Sequence, residues 1–373
     1  GHSLKSWLHS QSWVCWRRKC MKNSAKFDVE VLAEKTVEML AVSPGQVIWI
    51  WANVYSLDFI EALAFRIRAR GAFWTLRLTS EPLLRRIGLE VPEPYLSLIP
   101  EHEVRWLDDM DAIIEIQDHG GHIPSVPLER RRAMGAEWIA LINEAAHKGI
   151  RRVTVINPTP ALAEVYHLPL EDFCSRLMQA VNVDYSAVDR RQKQIAHLLG
   201  TARQVRITSV AGTDLNLRVT GRKALLDTDS IPHGEAYIAP LEDSAEGVAV
   251  IEKAFFRGRF VEKLRLTFSG GRVVGVDAPD ATSAEAFREV LAASSGDKDR
   301  IAEFAIGVNP GVVEPIGYIP LDEKIGGSVH IAVGMNDRFG GRNKSNLHQD
   351  FVILKPTVWF DGKVVIENGA FTV

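Results

Sequence analysis

Residues 46–78 read QVIWIWANVYSLDFIEALAFRIRARGAFWTLRL, and the order of elements within them decides the fold. Gln46 to Trp51 is a run of large apolar and β-branched side chains, the composition of a buried strand. Leu57 to Arg70 sets Ile60, Leu63, Ala64 and Ile67 on one face of a helix, and Gly71 supplies its cap. Phe73 to Leu78 is a second strand. Strand, helix and strand in this order imply a parallel pair joined by a crossover, so the segment belongs to an α/β sheet.

The pattern extends on both sides. Val29 to Leu40 reads as a helix ending before Ser43-Pro44-Gly45, and the strands Ala112 to Ile116 and Arg152 to Ile156 bracket a helix over Met134 to Lys148. This accounts for Phe27 to Pro160. No G-x-G-x-x-G follows the first strand and no G-x-x-x-x-G-K-[ST] occurs anywhere, which argues against a bound dinucleotide or nucleoside triphosphate. Asp118-His119-Gly120-Gly121-His122 reads as a solvent-exposed loop, with His119 and His122 as candidate substrate contacts.

Leu170 to Leu199 reads as one helical connector. Beyond it the pattern turns to short strands, Gln204 to Ser209, Leu215 to Val219, Val261 to Phe268 and Val273 to Val276, with turns at Gly212-Thr213-Asp214 and Ser269-Gly270-Gly271 and one helix over Ser283 to Ala293. The expectation is an α/β N-terminal domain with a parallel sheet plus a β-rich α+β C-terminal domain that binds metal. Its boundaries are 1–26 for a tag or disordered extension, 27–184 for the α/β domain with its connector, and 185–373 for the catalytic half.

A length of 373 residues suits two domains, and a formal net charge of −3 with interspersed signs suggests no nucleic-acid surface. Three cysteines, Cys15, Cys20 and Cys174, make neither a disulfide framework nor a cysteine zinc site, so a reducing, cytoplasmic home is expected. Gly1 is not an initiator, so Gly1-His2 reads as an expression remnant and Met21 as a candidate start. Trp7 to Lys22 mixes tryptophans with Arg17, Arg18 and Lys19 and lacks the apolar core of an export signal. No stretch reaches the ~20 apolar residues of a membrane span.

The chemistry concentrates in the second half. His348 and Asp350 stand one residue apart before the apolar run Phe351 to Leu354, and on a strand they share a face. His330 lies in a second strand, Ser328 to Val333. Glu303 is flanked by apolar residues in Ile301 to Gly307, and Glu235 lies in the strand-like run Pro232 to Pro240. A carboxylate in an apolar strand costs several kcal/mol unless an arginine, a shifted pKa or a metal neutralises it. Two Glu, one Asp and two His match the ligands preferred by Zn²⁺, Mn²⁺, Co²⁺ or Fe²⁺, and three carboxylates suit two ions ~3.5–4 Å apart.

Gly212-Thr213-Asp214-Leu215, Gly221-Arg222-Lys223, Gly234-Glu235-Ala236-Tyr237-Ile238-Ala239-Pro240, Glu242-Asp243-Ser244 with Glu246-Gly247, Glu303, His330 and His348-Gln349-Asp350 together resemble the ordered landmarks of the aminopeptidase T/S group of metallo-aminopeptidases, peptidase family M29. The resemblance implies a homodimer that removes N-terminal residues from peptides. It also implies two divalent ions on the positions matching Glu235, Glu303, His330, His348 and Asp350. One departure stands out: where the family reads H-x-A-x-G-x-x-Y, this chain reads His330-Ile331-Ala332-Val333-Gly334-Met335-Asn336-Asp337. Asp337 replaces the tyrosine, which leaves the ligand set intact and bears on substrate identity.

The chain also resembles the 2,5-dihydroxypyridine dioxygenases, whose mononuclear Fe²⁺ sits on two His and one Asp. Those enzymes carry a histidine at the position of Glu303 and no acid at that of Glu235, so the two glutamates here favour hydrolysis. The expected reaction is hydrolysis of an amide, peptide or not, through water activated by two Zn, Co or Mn ions. Glu303, Glu235 and Asp337 are candidate proton carriers, and Arg338, Arg342 and Lys344 are candidates to bind a substrate carboxylate or oxyanion. Ring oxygenation on Fe²⁺ is the alternative, and a binding protein on a retired peptidase scaffold is the non-enzymatic one.

Overall fold

A computed structural model describes residues 27–118, 125–256 and 259–373. The elements expected over 46–78 form as Val47–Asn53 (β1), the helix Leu57–Ala69 and Phe73–Thr79 (β2), with β1 and β2 parallel. Ala112–Gln117 (β3) and Arg151–Ile156 (β4) continue the same sheet, and helices pack on it because its side chains are apolar on both faces. Ile48, Ile50, Ile114 and Val153 are buried with helix residues Leu32, Val37, Phe59 and Leu63 in one core.

The second half supplies the remaining strands: Gln204–Thr208 (β5), Asp214–Arg218 (β6), Leu225–Leu226 (β7), Ser230–Ile231 (β8), Glu235–Ile238 (β9), Glu246–Phe256 (β10), Arg259–Ser269 (β11), Arg272–Asp277 (β12), Ile301–Gly307 (β13), Val329–Gly334 (β14), His348–Ile353 (β15), Thr357–Phe360 (β16), Lys363–Glu367 (β17) and Ala370–Phe371 (β18). Strand β8 joins β4 in parallel and completes a five-stranded sheet of order β2-β1-β3-β4-β8. The others form two antiparallel sheets, one of eight strands (β12-β11-β10-β6-β5-β16-β17-β18) and one of five (β15-β14-β13-β9-β7). The protein is thus a parallel-sheet α/β region followed by an antiparallel, β-rich region. The two antiparallel sheets bury Leu215, Ile251, Leu264, Phe304, Ile331 and Phe351 in a second core, with Phe287 of the helix Ala281–Ala292 wedged 5.1 Å from Phe351 and 5.4 Å from Phe256.

Two expectations need correction. The connector is two helices, Leu170–Val181 and Tyr185–Thr201, because the chain stops at Asn182 and restarts where the Asp184 carboxylate accepts the amides of Ser186 and Ala187. Asp118 is not on an exposed loop: its side chain is fully buried and accepts the Asn53 amide at 2.9 Å and the Ser56 hydroxyl. His119 and His122 lie outside the described residues, as do residues 1–26. Among the described residues no helix is long and apolar enough to cross a membrane.

Candidate metal centre

Strand pairing brings the distant acids and histidines together. Gly307 of β13 faces Glu235 of β9, and Ala305 faces Tyr237. On the other side of β13, Ala305 faces His330, and a register shift between Ile301 and Glu303 sets Glu303 opposite Ala332. Asp350 and His348 of β15 face Ala332 and Gly334. Residues paired across strands share a face, so Glu235, Tyr237, Glu303, His330, His348 and Asp350 all project from one side of the sheet. The alanines and glycines between them leave that side open. Phe304, Ile306, Ile331 and Phe351 point the other way, into the core.

The reactive atoms converge. His330 Nε2 lies 3.5 Å from Glu303 Oε1, 3.6 Å from Glu235 Oε2 and 3.9 Å from Asp350 Oδ1. His348 Nε2 lies 3.3 Å from Glu303 Oε2 and 3.3 Å from Asp350 Oδ1. On the far side of its ring, Nδ1 sits 2.7 Å from the Met335 carbonyl. A proton donated there fixes the ring with Nε2 toward the carboxylates. Glu303 therefore spans the two imidazoles, one oxygen to each.

Two participants were not anticipated. Lys324, which follows the helical turn Ile319–Asp322, buries its ammonium between Asp227 Oδ2 at 2.8 Å, Glu235 Oε1 at 2.7 Å and Glu323 Oε1 at 2.8 Å. Its neighbour Glu323 reaches the cluster as well: Glu235, Glu323 and His330 offer ligand atoms within 4.8 Å of one another, as Glu303, His348 and Asp350 do. The available signal was the run Asp322-Glu323-Lys324 inside an apolar stretch, immediately before the strand of His330.

Electrostatics follow from this crowding. Burial would depress both imidazoles, but Glu303, Glu235 and Asp350 carry His330 up to about 9, and Asp350 with Glu303 carries His348 well above its usual range. Burial raises Glu235, with Lys324 opposing and Glu323 reinforcing, whereas at Glu303 the two imidazoles overcome burial and lower it. Lys324 stays an ammonium because its three carboxylates outweigh burial.

The donors fit a cation. Among the described residues Glu235 Oε2 is buried without a hydrogen-bond partner, and a buried carboxylate oxygen of that kind is expensive unless something positive meets it. When ionised, Asp227, Glu235, Glu303, Glu323 and Asp350 carry five negative charges against the single ammonium of Lys324. Mixed carboxylate and imidazole ligands are the set taken by Zn²⁺, Co²⁺ or Mn²⁺.

Asp337, Arg338, Arg342 and Lys344 lie apart from this cluster. All four are exposed on the loop between β14 and β15, and their charged ends make no ion pair with the described residues. The loop itself is anchored: the Arg342 amide donates to Glu242 Oε1 at 2.7 Å, Glu242 pairs with Arg222 at 2.6 Å, and the Asn343 amide donates to the buried Asn336 at 2.8 Å. This holds Phe339 edge-on to Tyr237 at 5.8 Å and to His348 at 5.7 Å. The Tyr237 phenol makes no hydrogen bond to the described residues, and burial together with Glu303 and Glu235 keeps it protonated.

Residues 28–371 match the thermophilic metalloprotease (M29) family. Wild-type AmpT from Thermus thermophilus superposes with a TM-score of 0.76 at 21% identity, over 92% of this chain and 99% of that one. The 2,5-dihydroxypyridine dioxygenase of Pseudomonas putida KT2440 superposes with a TM-score of 0.64 at 16% identity, over 92% and 97%. At these identities both likenesses speak for the fold. No curated protein sequence matches the chain.

Proposed function

Because the chain belongs to the M29 family of thermophilic metalloproteases, a family of metallo-aminopeptidases, we propose that it removes N-terminal residues from peptides at the cluster of Glu235, Glu303, Glu323, His330, His348 and Asp350, with two divalent ions as cofactors. The observation that carries this reading is Glu303, whose two oxygens face two different imidazoles, His330 with Glu235 beside it and His348 with Asp350 beside it. Glu235, Glu323 and His330 would hold one ion and His348 and Asp350 the other, with Glu303 shared. Zn²⁺, Co²⁺ and Mn²⁺ suit these donors equally. Bound there, the ions would bring the pKa of water toward neutrality and polarise the scissile carbonyl.

The chain's own residues do the rest. Lys324 holds one oxygen each of Glu235 and Glu323, and the other oxygen of Glu235 faces His330 at 3.6 Å. Tyr237 shares that face of the sheet, and its phenol, without a hydrogen bond to the described residues, would donate its proton in a hydrogen bond to a substrate carbonyl oxygen. Phe339 and Tyr237 form an apolar wall beside His348 that keeps water off the reacting amide. Arg338, Arg342 and Lys344, exposed on the loop after β14, would meet a substrate carboxylate from solvent, and Asp337 on the same loop would take a proton from the departing product. Phe73, Trp74 and Leu78 are exposed along the free edge strand β2 and suit burial in a homodimer.

The Fe²⁺ alternative needs His330, His348 and Asp350 alone. It is disfavoured because Glu235 and Glu303 approach the same imidazole, at 3.6 and 3.5 Å. Metal analysis of protein purified without added metal, paired with release of p-nitroaniline from aminoacyl-p-nitroanilides, separates the two. About two Zn, Co or Mn per chain with turnover lost in Glu303→Ala and His348→Ala supports the aminopeptidase. One Fe per chain with oxygen uptake on a dihydroxypyridine overturns it.

A further inference from the structure

We infer that the two halves of the cluster bind divalent ions with unequal strength, the Glu303–His348–Asp350 half tightly and the Glu235–Glu323–His330 half weakly, because Lys324 already serves as the resident cation of the second half. This rests on the two-ion reading above.

The two halves differ in what their carboxylates are doing. Glu303 and Asp350 face imidazoles only, and neither has a lysine or arginine nitrogen within 4.0 Å among the described residues. Asp350 can give its full charge to one ion, and the charge that Glu303 shares between the two is not drawn off by a lysine or arginine. Glu235 and Glu323 each commit one oxygen to the Lys324 ammonium, at 2.7 and 2.8 Å. Each then keeps one oxygen for a ligand, and any dication received there sits beside a fixed positive charge that water does not screen, since the lysine side chain is 3% exposed. Asp227 offsets part of that charge at 2.8 Å from the ammonium, but it belongs to neither group of ligand atoms.

Access points the same way. The His348 side chain is 25% exposed and that of His330 only 1%, so an ion reaching His330 sheds more of its water than one reaching His348. The consequence is a centre whose second ion comes and goes with the free metal concentration.

The test is a Co²⁺ titration of metal-stripped protein against a chromophoric chelator, following the visible absorption of bound Co²⁺. Two events separated by at least about tenfold in affinity are expected. His348→Ala should remove the tight event and His330→Ala the weak one. Lys324→Met should draw the weak event toward the tight one, and Lys324→Arg, which keeps the charge, should not. Two equal events, or a tight event that survives His348→Ala and disappears in His330→Ala, overturn the inference while leaving the two-ion reading intact. The histidine variants decide the order of strength even if Lys324→Met fails to fold. Absence of any Co²⁺ binding by the unsubstituted protein overturns both.

Discussion

Stripping the ions from this centre should make the protein take up protons, and returning them should drive those protons out. Without cations, the carboxylates around His330 and His348 are met by imidazolium protons instead, which is why His330 rises from 6.5 to about 9 and His348 rises well above its usual range. At pH 7.5 both rings in stripped protein carry their second proton on the face a metal must use, so loading should release about two protons per chain, with a further fraction from Glu235. Isothermal titration of Co²⁺ or Zn²⁺ in two buffers of different ionisation enthalpy counts them directly.

The same shift fixes how stripped protein responds to pH. A base whose pKa is raised on folding stabilises the fold fully below its unfolded value and loses that contribution as pH climbs through the folded one. For His330 the window is about 6.5 to 9, and the shift is worth about 3 kcal/mol. Glu235 acts in the same direction, since a raised carboxyl pKa leaves the folded chain holding more protons than the unfolded one. Glu303 is shifted the opposite way, and its contribution is lost only in acid. Stripped protein should therefore melt at progressively lower temperature between pH 6.5 and 9, while loaded protein should not. Proton uptake on loading, or stripped protein more stable at pH 9 than at pH 7, would refute the account.

Three further outcomes follow from the packing and the site. Tyr237→Phe should lower kcat/KM by about tenfold to a hundredfold on aminoacyl-p-nitroanilides with little change in melting temperature, because the phenol makes no hydrogen bond that the fold needs. Phe287→Ala should cost about 3–5 kcal/mol in urea unfolding and also weaken metal binding, since Phe287 supports Phe351, the residue after Asp350. Cys174 is buried and its thiol is pushed up to about 11 by that burial; in a Cys15→Ser, Cys20→Ser background, native protein at pH 8 should leave Ellman's reagent unreduced, whereas protein in guanidinium chloride should release about one equivalent.

The parts of this molecule legible in its sequence are those governed by a short period. Residues 46–78 announce strand, helix and strand because burial on both faces writes a continuous apolar run, and Ile301 to Gly307 and His348 to Ile353 announce strands because alternate residues face opposite sides. The i, i+2 relation of His348 and Asp350 and the isolation of Glu303 among apolar neighbours were readable for the same reason. What escaped depends on contacts between distant segments. Lys324 and Glu323 sit in a turn rather than a strand, and a three-residue charged run looks like solvated surface until Asp227, about a hundred residues earlier, is seen beside it. The break at Asn182 was missed because one capping carboxylate, Asp184, outweighs helical propensity on both sides. Strand β10, eleven residues long, went unread because its partner β11 and the core behind it define it more than its own pattern does.

The position of His348 and Asp350 on the outermost strand of their sheet has a bearing on the cell that makes this protein. These two residues are synthesised last of the cluster, and a slip of one residue in pairing β15 with β14 would turn both toward the core. A nascent or misregistered chain thus possesses four of the six side chains and no working centre. The same arrangement that assembles the hydrolytic machinery withholds it until β15 has docked on β14 in register.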